Sequence, residues 1–435
     1  MFTRSKTIFL SLTVALSLLI AGCNSEPRGQ ETAKPDTTDV LFPSYKGLIM
    51  AGYQGWFRAE GDGTGGKWNM RIDMWPDVLE YEKTYESDVE YPDGSKARVF
   101  SSVDSSTTFL HFKWMKEYGL DGVFMQRFFG VTRSSEHRKT PDHILNNAFE
   151  ASQKYERAIG VMYDLSGLNP DKDDCSTIIE DWKHLVDDLE VLDFGEKQTY
   201  IHHGGKPLVT IWGVGFPDRP YDIKAIGLDR LIDFLQNDPV YGGCSVMLGV
   251  PTYFRDLDKD CLPEPYLHEL IRSADIVLPW MVQRFTPYVH EPVALWRDHV
   301  KADIKWTQEN GVDYVPIAYP GFSWRNLAKT QPALARYSDY GAIPRLGGQF
   351  FWDQMVTMVN AGAEMIYVAM FDEINEATAI MKVSDSPPNT DKTHFIDNDG
   401  QPSDHYLWLT GQGARMLRGE IPASYEMPER DDDSL

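Results

Sequence analysis

Short apolar runs recur along the chain, and most are followed by a longer stretch whose hydrophobic positions repeat at helical spacing. The runs fall at residues 47–57, 122–127, 158–164, 207–213, 245–250, 276–283, 314–319 and 364–371. They are apolar throughout rather than alternating, as expected of strands covered on both faces. Helical spacing with a polar outer face marks 141–157, 177–192, 222–237, 263–273 and 292–310. A helix near 105–116 follows the first strand, and 405–418 supplies a closing helix after the eighth. Strand–helix alternation repeated eight times predicts an α/β fold, a single (β/α)8 TIM barrel rather than an open doubly wound sheet. No linker interrupts it, so residues 41–420 read as one domain and 421–435 as an acidic tail.

One departure from the regular spacing is large. Between the first strand and its helix lies an insertion of roughly residues 58–102, rich in Gly, Trp, Asp and Tyr. Long loops in compact domains commonly act as lids or binding walls. Trp68 and Trp75 argue against a purely solvated loop.

The N-terminal residues follow a different logic. Arg4 and Lys6 precede an apolar run over 8–20 that ends in Leu19-Ile20-Ala21-Gly22-Cys23. The run is short for a membrane span and has the three-part layout of a secretory signal over 1–22. Small residues before a cysteine resemble the lipobox of bacterial lipoproteins, which implies lipidation of Cys23. An ordinary cleaved signal is the alternative. Residues 23–40 then form a polar tether. The expectation is an exported protein held to a membrane, the outer one, only by its lipid, on the periplasmic or cell-surface face.

The formal net charge of −23 disfavours a phosphate backbone as partner. Besides Cys23 the cysteines are Cys175, Cys244 and Cys261, without the spacing of a zinc or redox motif. A bridge between Cys244 and Cys261 is left open by the sequence. The eleven histidines include no HExxH, so no metal and no cofactor are expected. His202-His203 precede a strand, at the face of the barrel away from the chemistry.

Barrels of this kind place their chemistry at the C-terminal ends of the strands. The residues expected there are Tyr53, Gln54 and Trp56, then Gln126 and Arg127, Asp164, and Trp212. Tyr253 follows the fifth strand, Trp280, Gln283 and Arg284 the sixth, and Tyr319 and Trp324 the seventh. Aromatic rings beside amides, guanidinium groups and carboxylates suit a carbohydrate ligand. The apolar face of a sugar stacks on a ring while its hydroxyls need directional partners. Any single ring could equally be packing at the barrel mouth.

After the eighth strand stands Phe371-Asp372-Glu373-Ile374-Asn375-Glu376-Ala377-Thr378. Glycoside hydrolysis normally uses two carboxyl groups, and Glu373 and Glu376 are spaced so that both can face one cavity. Close acids at a barrel mouth raise one another's pKa and yield an acid and a base at neutral pH. The competing reading is a helix N-terminus, where acids merely complement exposed N–H groups.

Glu373-x-x-Glu376 followed by Thr378 and Ile380 resembles the Glu-Trp-His-Glu-Gly-Thr-Gln-Ile segment of the endo-α-mannosidases of glycoside hydrolase family 99. Residues 200–209 (YIHHGGKPLV) resemble the stretch leading into the fourth strand in families 99 and 71, and a weaker likeness runs from about 47 to 418. The resemblance implies a retaining, endo-acting α-glycosidase in which the substrate's own 2-hydroxyl is the nucleophile. Glu373 would be the base that deprotonates it, and Glu376 the acid that protonates the leaving oxygen and later activates water. The Trp, His, Gly and Gln of the family segment are Ile374, Asn375, Ala377 and Ala379 here, and Asn375 joins the candidate binding residues. The alternative from another class is a glycan-binding lipoprotein on the same barrel that cleaves nothing.

Overall fold

The computed structural model of the chain describes residues 39–430 apart from 69–70, 288–291, 332–333 and 335–337. The expected signal over 1–22, Cys23, the tether up to residue 38 and residues 431–435 of the tail lie outside the described residues.

The eight expected strands are present: β1 Ile49–Tyr53, β2 Gly122–Phe128, β3 Ala158–Asp164, β4 Lys206–Trp212, β5 Ser245–Pro251 and β6 Ile276–Trp280, then a broken β7 and β8 Ile366–Val368. Each of β1 to β5 pairs in parallel with the next, for example Met50 with Gly122 and Met247 with Ile276. β7 has two pieces, Asp313–Tyr314 against β6 and Ile317–Ala318 against β8. Pro316 lies between them and has no N–H to give, which explains the break in the ladder. β8 pairs with β1, so the sheet closes into a barrel through the covalent continuity of β7.

The helices α1 Ser105–Tyr118, α2 Ser135–Tyr155, α3 Ser176–Asp187, α4 Leu228–Asn237, α5 Tyr266–Ser273, α6 Pro292–Asn310, α7 Gln349–Ala361 and α8 His405–Leu417 follow the strands in order. α2 starts six residues before Pro141, where the sequence placed its beginning. Ser134 is the reason: its side chain accepts from the N–H of His137 and caps the helix ahead of the proline. Among the described residues no helix is long and apolar enough to cross a membrane.

The insertion after β1 is a folded wall. It contains an antiparallel hairpin, Tyr85–Glu90 with Lys96–Val99. Trp68 stacks on Phe57 at 4.9 Å and donates its indole N–H to the Phe100 carbonyl at 2.6 Å. Tyr81 reaches His111 of α1 at 2.6 Å. Asp73 accepts from Ser323 Oγ at 2.5 Å and from the backbone N–H groups of Arg325 and Asn326 at 2.7 and 2.8 Å, in the loop after β7. The N–H groups of Asp73 and Met74 both donate to the Ile374 carbonyl, at 2.9 and 3.2 Å.

Cys175, Cys244 and Cys261 are free and buried. Cys244 immediately precedes β5, whereas the residue after Cys261 donates its N–H to the Gly215 carbonyl beyond the end of β4, so the two thiols lie at opposite ends of the strands. His203 bonds Asp313 at 2.9 Å at the N-terminal end of the barrel. The final described residues pack back, Arg430 making two hydrogen bonds to Asp404 at the start of α8.

Candidate active site

β8 ends at Val368, and the chain then runs irregularly across the barrel mouth with no helix before α8. The helix N-terminus reading of the acids therefore falls. Asp372 fixes the start of this segment. Its Oδ1 accepts from the backbone N–H of Gln54 at 2.7 Å and its Oδ2 from that of Gly55 at 2.9 Å, tying the end of β8 to the end of β1. The Glu373 carbonyl accepts from the N–H of Thr378 at 3.1 Å, and the Glu376 carbonyl from that of Ser323 at 2.8 Å. The short loop carrying both acids is thus held at both ends and along its length.

The side chains are held differently. Glu373 Oε2 accepts from the Gln54 side-chain amide at 2.5 Å. Glu376 has no such partner among the described residues and is free to meet a ligand. Burial pushes the Glu373 carboxyl well above the usual range, with Glu376 and Asp372 adding to the effect and Gln54 opposing it. Burial pushes Glu376 up to about 7. Asp372 rises to about 6 for the same reason, against the pull of its two backbone donors. Charge on Glu376 raises the Glu373 pKa, so the two glutamates titrate as neighbours rather than independently.

Both glutamates line a cleft of about 380 Å³. Gln54, Trp56, Gln126, Asp164 and Trp212 line it from the β1 to β4 side. Trp280, Gln283, Arg284 and Trp324 line it from the β6 and β7 side. Trp212 and Trp280 meet edge to face at 5.2 Å. The indole N–H of Trp212 and the amide oxygen of Gln54 are buried without a partner, as groups awaiting a ligand would be. Asp164 is also buried, its carboxyl raised by desolvation. Arg284 is committed to Asp260 at 2.5 Å. Among the described residues no cluster of three or more His, Cys, Asp or Glu side chains is arranged to hold a metal ion.

The remaining expected residues are elsewhere. Tyr53 is buried with its hydroxyl on His111 of α1 at 2.8 Å. Arg127 turns outward to Asp181 of α3 and Asp142 of α2. Tyr319 is buried, its hydroxyl on the Phe285 carbonyl and its backbone on Gln354 of α7. Tyr253 lines a separate depression under Lys259, whose ammonium lies 3.7 Å from the ring centre. Asn375 lines an adjoining groove, its buried amide oxygen unpartnered.

The cleft also takes in Phe128, Met162, Ser166, Phe216, Arg219 and Thr378, which reasoning from strand ends alone omits. Phe216 and Arg219 lie beyond the end of β4, in a loop turned by Gly213 and Gly215 at φ 109° and 93°. Those glycines were the available signal that the loop doubles back over the mouth. Arg219 sits 5.3 Å from the Trp212 ring centre.

The parallel eightfold barrel is shared with solved structures. The chain is similar to a family 99 endo-α-mannosidase from Bacteroides thetaiotaomicron in complex with bis-tris-propane, with TM-score 0.60, 14% identity, and 88% of this chain and 100% of that one covered. A second structure of a family 99 endo-α-mannosidase from that organism gives TM-score 0.57, 14% identity and coverage of 86% and 99%. A glycoside hydrolase-like protein gives TM-score 0.52, 13% identity and coverage of 88% and 97%. At such identities the likeness is one of fold. No family model and no curated protein matches the sequence.

Proposed function

We propose that this protein is a glycosidase that cleaves α-linked glycans through Glu373 and Glu376, acting within the chain and with retention. The observation that carries this reading is the pair itself: a buried Glu373 and a partly exposed Glu376, both with raised proton affinity, in a cleft of rings and amides. Glu373, in its ionised form, takes the proton of the substrate's 2-hydroxyl, and that oxygen closes on the anomeric carbon. Glu376 gives its proton to the departing glycosidic oxygen as the bond breaks. Glu376 then removes a proton from water, which opens the anhydro-sugar, and the 2-oxygen recovers its proton from Glu373.

Two features support this division of roles. The Gln54 N–H stabilises negative charge on Glu373, whereas Glu376 has its proton free for a ligand. Burial holds the Glu373 pKa up; with the proton on Glu376 the repulsion between the two vanishes, and that loss together with the Gln54 donor lowers the Glu373 pKa. The signal over 1–22 and Cys23 complete the proposal: an exported enzyme held to the membrane by lipid, which palmitate labelling lost in Cys23→Ser would support.

The test is hydrolysis of α-mannans and other α-glycans, with product size and anomeric configuration read by NMR. Glu373→Gln and Glu376→Gln should each abolish turnover while binding survives. A wild-type protein that binds glycan and cleaves none would instead be the non-catalytic glycan binder.

A further inference from the structure

Beside the catalytic cleft lies a second groove of about 580 Å³. Trp56 lines both, so a chain of sugars crossing that ring passes from one to the other. The groove is formed by the insertion after β1 together with Leu327, Gln331 and Asn375. Among the described residues its charged side chains are Arg58, Lys67 and Arg71, with no carboxylate in the lining. In a protein of net charge −23 this concentration of one sign stands apart.

The state of these cations sharpens the point. Lys67 is paired with Asp88 at 2.7 Å. Arg58 and Arg71 are half-buried, and neither has an ion pair or hydrogen bond among the described residues. The other arginines at the mouth differ: Arg284 is held by Asp260, and Arg219 lies 3.7 Å from Asp218. A guanidinium partly removed from water gains most from a planar or tetrahedral oxyanion that takes two of its N–H groups. The site also has room made for it. A Cβ on Gly66 would come within 2.5 Å of the Arg58 Cβ, so only glycine lets that side chain lie where it does.

We propose that the glycan this protein acts on carries an anionic substituent, a sulfate ester or a uronate carboxylate, held by Arg58 and Arg71 in the groove beside Trp56. This rests on the glycosidase reading above and specifies its substrate class. Neutral sugars are served by rings and amides, which the catalytic cleft supplies, whereas a partly buried unpaired guanidinium gains most from an oxyanion.

The experiment measures binding separately from turnover. Affinity electrophoresis of the full chain carrying Glu376→Gln would use a neutral α-mannan, the same mannan sulfated, and the same mannan oxidised at C6 to uronate. One or both anionic polymers should bind about tenfold tighter than the neutral parent, the scale of one charge-assisted contact. The preference should shrink with added salt. Arg58→Gln with Arg71→Gln should erase it and leave neutral mannan binding unchanged. The sulfated and oxidised arms distinguish the two anions. Equal binding of all three polymers would overturn the proposal, and so would a preference that survives the double variant. The polymers' cleavage by the wild-type protein is scored independently, so loss of the catalytic reading would not be mistaken for loss of this one.

Discussion

Gln54 bonds through its backbone N–H to Asp372 Oδ1 at 2.7 Å and through its side-chain amide to Glu373 Oε2 at 2.5 Å. The residue that steadies the loop thus also steadies charge on the proposed base. Gln54→Leu removes that donor, and because the donor lowers the Glu373 pKa, its loss raises it. The acidic limb of the kcat/KM profile should move up by about one pH unit. A uniform loss of activity with the limb unmoved would mean that Gln54 serves the sugar and not Glu373.

Asp372→Asn keeps the shape but turns one acceptor into an N–H donor facing the N–H of Gln54 or Gly55. A buried donor opposed by a donor costs about 2–3 kcal/mol. Urea unfolding should show that loss, and the loop should become more protease-sensitive.

Folding should also respond to pH through the acids. In the folded chain Asp372 is raised to about 6, Glu376 to about 7 and Glu373 further. The folded state therefore holds these protons more tightly than the unfolded chain. Their contribution is fully present below about pH 4 and is lost as pH rises through 6 and 7. Glu376→Gln removes one such group and should stabilise the protein at pH 8 by about 2 kcal/mol, with little gain at pH 4. Thermal melts of wild type and variant at the two values would check the difference.

Arg127 makes a bidentate pair with Asp181, at 2.5 and 2.7 Å, and a further bond to Asp142 at 2.8 Å. Arg127→Met leaves Asp181 buried without its partner and should cost about 3–5 kcal/mol. KM should hold at temperatures where the variant stays folded. A raised KM with unchanged stability would return Arg127 to the binding site.

Arg127 also marks where the sequence was legible and where it was not. The strands could be read because both faces are covered, so β3 and β5 are buried from end to end and mostly apolar. That same burial hides which face a side chain takes. Neighbours along a strand alternate: Gln126 enters the cleft and Arg127 leaves it, and Tyr163 turns out to Asp181 while Asp164 turns in. At the end of β1 Tyr53 turns out and Gln54 in. Parity would have separated them had the register been known. The acids after β8 were legible because their spacing is local. Ala377 in that segment has φ 52°, a left-handed position where the family segment has Gly. The groove cations could not be found from strand ends, because the insertion that brings them carries no periodic pattern.

Trp212 presents an indole N–H that is buried without a partner at the cleft wall. Trp212→Phe keeps the ring and loses that donor. Removing one hydrogen bond to a neutral sugar hydroxyl should raise KM by about tenfold with kcat little changed. The free protein should become slightly more stable, since an unsatisfied group is gone. Steady-state kinetics and a melt on one preparation would test both halves.

Asp73 joins the insertion to the loop after β7, and its neighbouring N–H groups join it to Ile374 between the two acids. Three segments from distant parts of the chain are therefore held together as one unit. Exchanging any one of them with a relative would displace the acids along with the specificity. New substrate preferences in this lineage should arise by replacing side chains on a fixed rim, and loop length should drift only where the rim is not crossed, as at the tip of the hairpin over residues 91–95.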